Sequence, residues 1–236
     1  MSFIITVHTN EGIIMASDSR ITYSKINALP NGNVETIIGS QITDTTYKTF
    51  LCNPRIGIST CGVSDINQIL IAGYIEKFIS ENVNDESSID DVSKGLVDYF
   101  SSFCLGLKTI FLVAGYNKGD LLPKVNRVFI ADKNIQAWDA SNPGAIWDGE
   151  TTTLSKLVSP VGIKQSDGSY IDMPNNGIGF NFFTLQDAIN FANYAVDVTI
   201  KTMAFENCAK TVGGPIDILA IKPDKAFWIA RKELHA

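Results

Sequence analysis

The 236-residue chain carries 19 Lys and Arg against 25 Asp and Glu, a formal net charge of −6, and its sequence pI is near 4.9. That balance excludes the clustered basic surface by which a protein grips nucleic acid or an anionic membrane. An apolar content of 45% is enough to bury a sizeable core, while the most apolar stretch, Ile110 to Ala114, is far too short to span a bilayer.

The chain opens with two β-type runs, Phe3 to Val7 and Ile13 to Ala16, on either side of a polar turn at His8 to Gly12. This reads as a hairpin, and its continuous apolar runs suit strands covered on both faces. No basic segment leads into a long apolar run, so no secretory signal is expected. Residues 21–29 and 34–42 are predicted to pair across a turn at Pro30-Asn31-Gly32-Asn33, forming a second hairpin or a flap. Two further strands are expected at Tyr47 to Cys52 and Arg55 to Gly62. The period then becomes helical through Ile66, Ile69, Leu70, Gly73, Ile75 and Phe78, with Ser64 as N-cap. Ser88-Ile89-Asp90-Asp91 caps a second helix whose apolar face is Ile89, Val92, Leu96, Phe100 and Phe103.

Strands resume at Thr109 to Gly115, Arg127 to Ala131, Ile135 to Asp139 and Ala145 to Trp147. A short helix is expected over Glu150 to Val158, and a loop over Ser159 to Phe183. Thr184-Leu185-Gln186-Asp187 caps the clearest helix, with a stripe of Leu185, Ala188, Ile189, Ala192, Ala195, Val196, Ile200 and Met203. Strands at Ile216 to Ile221 and Ala226 to Ala230 close the chain. No repeat or linker interrupts it, so residues 1–236 are expected to form one domain. The order of strands, two helices, strands, helix and strands predicts an α+β fold: two central sheets with helices outside, in four layers.

Histidine offers little for catalysis, because His8 and His235 stand at opposite ends of the sequence. Cys52, Cys61, Cys104 and Cys208 are scattered without zinc spacing and are expected to be reduced, mostly buried thiols of a cytoplasmic protein. No metal and no cofactor are expected. The head of the chain offers another chemistry. Removal of Met1 would make Ser2 a first residue with both a hydroxyl and a free amine. An α-amine titrates near pH ~8, so it can serve as general base for its own hydroxyl. On the same residues, an ordinary hairpin followed by a solvated Asp18-Ser19-Arg20 turn remains open. So do a strand-edge role for Lys48 and a helix-start turn at Gly62. Cys61 reads either as a rival nucleophile or as a thiol buried in a strand.

Three segments taken together resemble the β-type subunits of proteasomes, which are N-terminal nucleophile hydrolases. They are Gly12 to Arg20, then Tyr47-Lys48-Thr49-Phe50, then Ile58-Ser59-Thr60-Cys61-Gly62. Further on, Gly149-Glu150-Thr151 and Val212-Gly213-Gly214-Pro215-Ile216-Asp217 look more like the bacterial Anbu peptidases than like HslV. The resemblance runs the length of the chain. It implies a four-layer αββα sandwich, Ser2 as nucleophile, and Lys48 as the adjacent positive charge. It also implies that Asp18 orients Lys48 and the amine, that Arg20 holds Asp18 or shapes the turn, and that the Gly62 N–H meets the oxyanion. The implied substrate is a peptide or unfolded protein, and the implied assembly is a homo-oligomeric ring or open spiral packed through the two helices after Gly62. An ATP-dependent unfoldase partner is left unidentified. The chain departs from the family in its longer segment between Arg20 and Lys48. It also lacks the serine of the family's Gly-Ser-Gly turn and the late Asp-x-x-Ser pair, where Ala209 and Thr211 are the nearest residues. Two other functions stay open: a non-catalytic ring subunit serving as scaffold, and a small-molecule amidase or transpeptidase of the same fold. Scaffold subunits of the α type carry a helical extension before the first strand, and no room for one is seen before Phe3, which favours the hydrolase.

Overall fold

The computed structural model describes residues 2–28, 33–104 and 106–233. Met1, whose removal is expected above, and the turn residues 29–32 lie outside the described residues. In chain order the elements are β1 (Phe3–His8), β2 (Ile13–Ser17), β3 (Ile21–Ala28), β4 (Val34–Thr43), β5 (Thr49–Asn53), β6 (Ile56–Gly62), β7 (Asp65–Ile66) and β8 (Ile69–Leu70). Helices α1 (Ile71–Asn82) and α2 (Ile89–Phe103) follow. Next come β9 (Thr109–Gly115), β10 (Lys124–Phe129), β11 (Asn134–Trp138), β12 (Gly144–Gly149), α3 (Thr152–Val158), β13 (Gly162–Lys164) and β14 (Tyr170–Asp172). The chain ends with α4 (Leu185–Phe205), β15 (Asp217–Ile221) and β16 (Ala226–Ala230).

Two five-stranded sheets form the centre, with strand orders β12-β1-β2-β15-β16 and β11-β10-β9-β6-β5. Every residue of β1 and β2 is buried, because each strand serves two cores with alternate side chains. Phe3, Ile5 and Val7 pack outward against Ala188, Ala192, Ala195 and Val196 of α4. Ile4, Ile13 and Met15 point inward, to Leu112, Ala114 and Leu219 between the sheets. On the far side, Ile58, Phe111 and Val113 meet Ile75, Phe78, Leu96 and Phe100 of α1 and α2. The result is the expected four-layer αββα sandwich. The alanine stripe of α4 leaves little side-chain bulk at its contact, and both α2 and α4 begin in capping boxes, Ser88 with Asp91 and Thr184 with Asp187.

Two segments differ from their expected form. The first helix starts at Ile71, not after Ser64, and has no side-chain cap. Asn67 and Gln68 take left-handed backbone (φ 52° and 67°), which no helix accommodates, so 65–70 closes as the small β7–β8 hairpin instead. Ile69 and Leu70 satisfy a helical period yet stay exposed. Within 159–183, expected as loop, β13 and β14 pair across a turn in which Asp167 Oδ1 accepts the Ser169 N–H. Both strands are exposed throughout, so no inside–outside alternation marked them in the sequence.

Candidate active site

The five predicted site residues converge at one end of the seam between the sheets. Ser2 leads into β1 and Asp18 follows β2, in one sheet. Lys48 leads into β5 and Gly62 ends β6, in the other. Ser2, Arg20, Lys48 and Gly62 line a narrow cavity of about 60 Å³ together with Thr46, Tyr47 and Thr60.

Asp18 is fully buried behind that cavity and is surrounded by donors. Its Oδ1 accepts the Phe3 N–H at 2.9 Å and the Lys48 ammonium at 2.7 Å. Its Oδ2 accepts the N–H groups of Arg20 and Gly213, each at 3.0 Å. The Phe3 contact ties the head of β1 to the end of β2, so Asp18 fixes the chain immediately after Ser2. Lys48 also donates to the Arg20 carbonyl at 2.6 Å. Its side chain is 5% exposed, and burial lowers its pKa from the ordinary lysine value despite the opposing pull of Asp18.

Arg20 reaches Asp18 through its backbone. Its guanidinium turns to Asp44 as a bidentate pair at 2.7 and 2.8 Å, which holds the Asp44 carboxyl below the usual range and raises the guanidinium further. Arg20 therefore fastens the end of the β3–β4 ribbon beside the cavity. Below the site, Thr49 Oγ1 donates to Ser17 Oγ at 2.8 Å and lies 2.9 Å from Ser59 Oγ. These buried hydroxyls join β2 of one sheet to β5 and β6 of the other.

Two glycines let the backbones approach. Gly62 has φ +118°, and a Cβ there would stand 2.3 Å from the Lys108 carbonyl oxygen. Gly149 has φ +93°, and a Cβ there would stand 1.8 Å from the Ser2 carbonyl oxygen. That carbonyl accepts the Glu150 N–H at 2.8 Å, so the Gly149-Glu150 turn pins Ser2 from the side opposite Asp18.

On that opposite side Ser2 borders a second, wider cleft of about 460 Å³, lined among others by Gly62, Lys108, Arg127, Asp148 and Thr151. Arg127 Nη2 donates to Asp148 Oδ1. Burial raises the Asp148 carboxyl above its ordinary range, against the opposing effect of Arg127. Cys61 also lines this cleft, but burial pushes its thiol up to about 12, a poor state for a nucleophile. Asp44, Arg127 and Asp148 were not singled out in the sequence, and Cys104 and Cys208, expected among mostly buried thiols, are exposed. A lone Asp in the strand Gly144-Ala145-Ile146-Trp147-Asp148-Gly149 is the one available signal of a buried charge needing a partner.

Among the described residues, no group of three or more His, Cys, Asp or Glu is placed to hold a metal ion, and no helix is long and apolar enough to cross a membrane.

Two facing antiparallel sheets between helical layers form a four-layer αββα sandwich. No protein-family model and no curated protein matches the chain. In three dimensions it is similar to the Anbu (Gly-1) mutant from Hyphomicrobium sp. strain MC1, with a TM-score of 0.60 and 15% sequence identity over 100% of this chain and 88% of that one. The fold is thus Anbu-like and proteasome-type, carried by a sequence with little identity to that neighbour.

Proposed function

We propose that the chain is a proteasome-like peptidase that hydrolyses amide bonds through Ser2 once Met1 is removed. The observation that carries this reading is the position of Ser2 on the divide between two cavities, with Lys48 lining one of them, Asp18 buried behind Lys48, and Gly62 bordering both. An amide substrate straddles such a divide, acyl group on one side and leaving amine on the other.

In this reading the Ser2 α-amine takes the Oγ proton as Oγ attacks the carbonyl carbon. The Lys48 ammonium favours the neutral amine and steadies the developing alkoxide, while the Gly62 N–H receives the oxyanion, a contribution of roughly 3 kcal/mol for one such donor. The proton then passes from the amine to the leaving nitrogen, and water hydrolyses the acyl-enzyme by the same route in reverse. The substrate is a peptide or unfolded protein segment, and the working form is a homo-oligomer in the cytoplasm. A second reading, an amidase for small acyl groups, is favoured by the narrowness of the cavity beside Lys48.

Intact mass of the protein from its native host, followed by hydrolysis of fluorogenic peptides and small acyl amides, tests both readings. Loss of Met1 together with peptide cleavage that Ser2→Ala abolishes is expected. Retained Met1 would leave the scaffold role in its place, and cleavage confined to small amides would select the second reading. Light scattering that showed only monomer across a wide concentration range would remove the oligomer.

A further inference from the structure

A second buried ion pair lies beside Lys48–Asp18 and takes no part in the chemistry above. Asp217, the first residue of β15, is fully buried and stands directly opposite Ser17 of β2, one residue before Asp18. Lys232, just after β16, donates to it twice: the backbone N–H reaches Oδ1 at 2.9 Å and the ammonium reaches Oδ2. The Lys232 side chain is only 5% exposed. Tyr47, the neighbour of Lys48, donates its hydroxyl to the Lys232 carbonyl, and its ring lies 4.4 Å from the Lys232 ammonium. The segment 231–232 is thus strapped across the strand end that carries Lys48.

Two buried carboxylates and two buried ammonium groups therefore share one small region. Each ammonium lies in the field of the other pair: Lys48 senses Lys232, and Lys232 senses Asp18. Without Lys232, Asp217 would be an uncompensated buried charge on the strand beside the one that leads to Asp18. We propose that Lys232 is a positioning residue, which by occupying Asp217 reserves the Lys48 ammonium for Asp18 and hence for Ser2. The catalytic part of this statement rests on the function proposed above, whereas the allocation of charge does not.

The groups that face Lys48 are Asp18 after β2, Asp44 at the base of the ribbon, Cys61 of β6 and Lys232. Those that face Lys232 are Asp217, Asp18, Arg231 and the Tyr47 ring. Changing Lys232 alters a charge that faces Lys48 directly, whereas changing Asp217 acts on Lys48 through Lys232. Lys232→Met removes a repelling cation and exposes an anion, so Lys48 should titrate higher by about one pH unit. Asp217→Asn leaves Lys232 unpaired and should move Lys48 the other way. The Lys232→Met/Asp217→Asn double variant removes a neutral pair and should return Lys48 close to its original titration.

The test is competitive acetylation across pH, read for Lys48 by peptide mass spectrometry, with thermal unfolding as control. Activity is measured in parallel: Lys232→Met should lower kcat about tenfold with KM unchanged, and the double variant should recover it. If Lys232→Met does not fold, the opposite shift expected of Asp217→Asn carries the test alone. An unmoved Lys48 in the single variants, or a double variant displaced as far as Lys232→Met, would overturn the inference. Titrations that move as expected in a protein that hydrolyses no amide would uphold the charge allocation and sink the peptidase reading.

Discussion

Two buried carboxylates flank Ser2, and they are completed very differently. Asp18 accepts from three backbone N–H groups and the Lys48 ammonium. Asp148 accepts from Arg127, while its Oδ2 and the Arg127 Nε are buried without a partner among the described residues. Backbone donors are already fixed by the sheet and the 213 turn, so they hold the Asp18 charge at no further cost in side-chain order. Asp148 relies on a side chain that is 31% exposed, and burial outweighs it, leaving the carboxyl raised. The difference teaches that a fixed negative charge is delivered on the Lys48 side of Ser2, whereas the wide-cleft side tolerates change.

Activity should divide along that line most sharply. Ser2→Ala, Lys48→Ala and Asp18→Asn are each expected to lower amide hydrolysis on the order of 10³-fold or more, with circular dichroism unchanged. Because the three act as one unit, a double variant should be little worse than the worst single one. Near-wild-type turnover in folded Ser2→Ala would place the nucleophile elsewhere, and Cys61 would be tested next.

Stability should divide along it too. Asp18→Ala strands three backbone donors and a buried ammonium, an expected loss of about 3–5 kcal/mol by denaturant unfolding. Asp148→Asn leaves a partly solvated guanidinium and should cost about 1 kcal/mol or less. Equal losses would erase the distinction between the two pairs. Gly149→Ala lies between these effects. Its positive φ and its approach to the Ser2 carbonyl should cost about 2 kcal/mol or more and displace Ser2, so activity should fall further than the melting temperature suggests.

His8 extends the comparison to a group whose charge has still less support. It is 1% exposed, and burial lowers its pKa from 6.5 despite the favourable pulls of Asp139 and the Asn142 backbone. From about one pH unit above 6.5 the ring is largely neutral in both states and contributes little pH dependence. Below it the unfolded chain binds a proton that the folded one resists, so stability falls as pH drops, by up to about 1.4 kcal/mol per unit from this group. His8→Gln should flatten that acid limb, which unfolding curves between pH 7 and pH 5 would show.

Much of this arrangement was legible before any coordinates. Strand and helix order, the four layers and both capping boxes followed from period and end-signals. Ser2, Asp18, Lys48 and Gly62 were named through the resemblance of three segments taken together; singly, Lys48 reads as a strand-edge lysine and Gly62 as a helix-start turn. What stayed hidden depends on neighbours remote in sequence. Arg20 points to Asp44 because the ribbon folds back beside it, and no local pattern states that. Asn67 and Gln68 broke a helical period through backbone conformation, not through hydrophobicity. Asp148 and Asp217 are single charges in apolar strands, and their partners Arg127 and Lys232 lie 21 and 15 residues away.

The trio of Ser17, Thr49 and Ser59 has a mechanical consequence. Ser2 and Asp18 travel with one sheet, while Lys48 and Gly62 travel with the other. The apolar side chains between the sheets resist separation but offer little resistance to sliding, because dispersion is non-directional. Hydroxyl hydrogen bonds are directional, and the one from Thr49 to Ser17 crosses the seam within one residue of both Lys48 and Asp18, with Ser59 holding Thr49 from its own sheet. It acts as a shear pin: slippage by about 1 Å would stretch it and the Lys48–Asp18 contact together, parting Ser2 from its neighbouring charge while each sheet stayed whole.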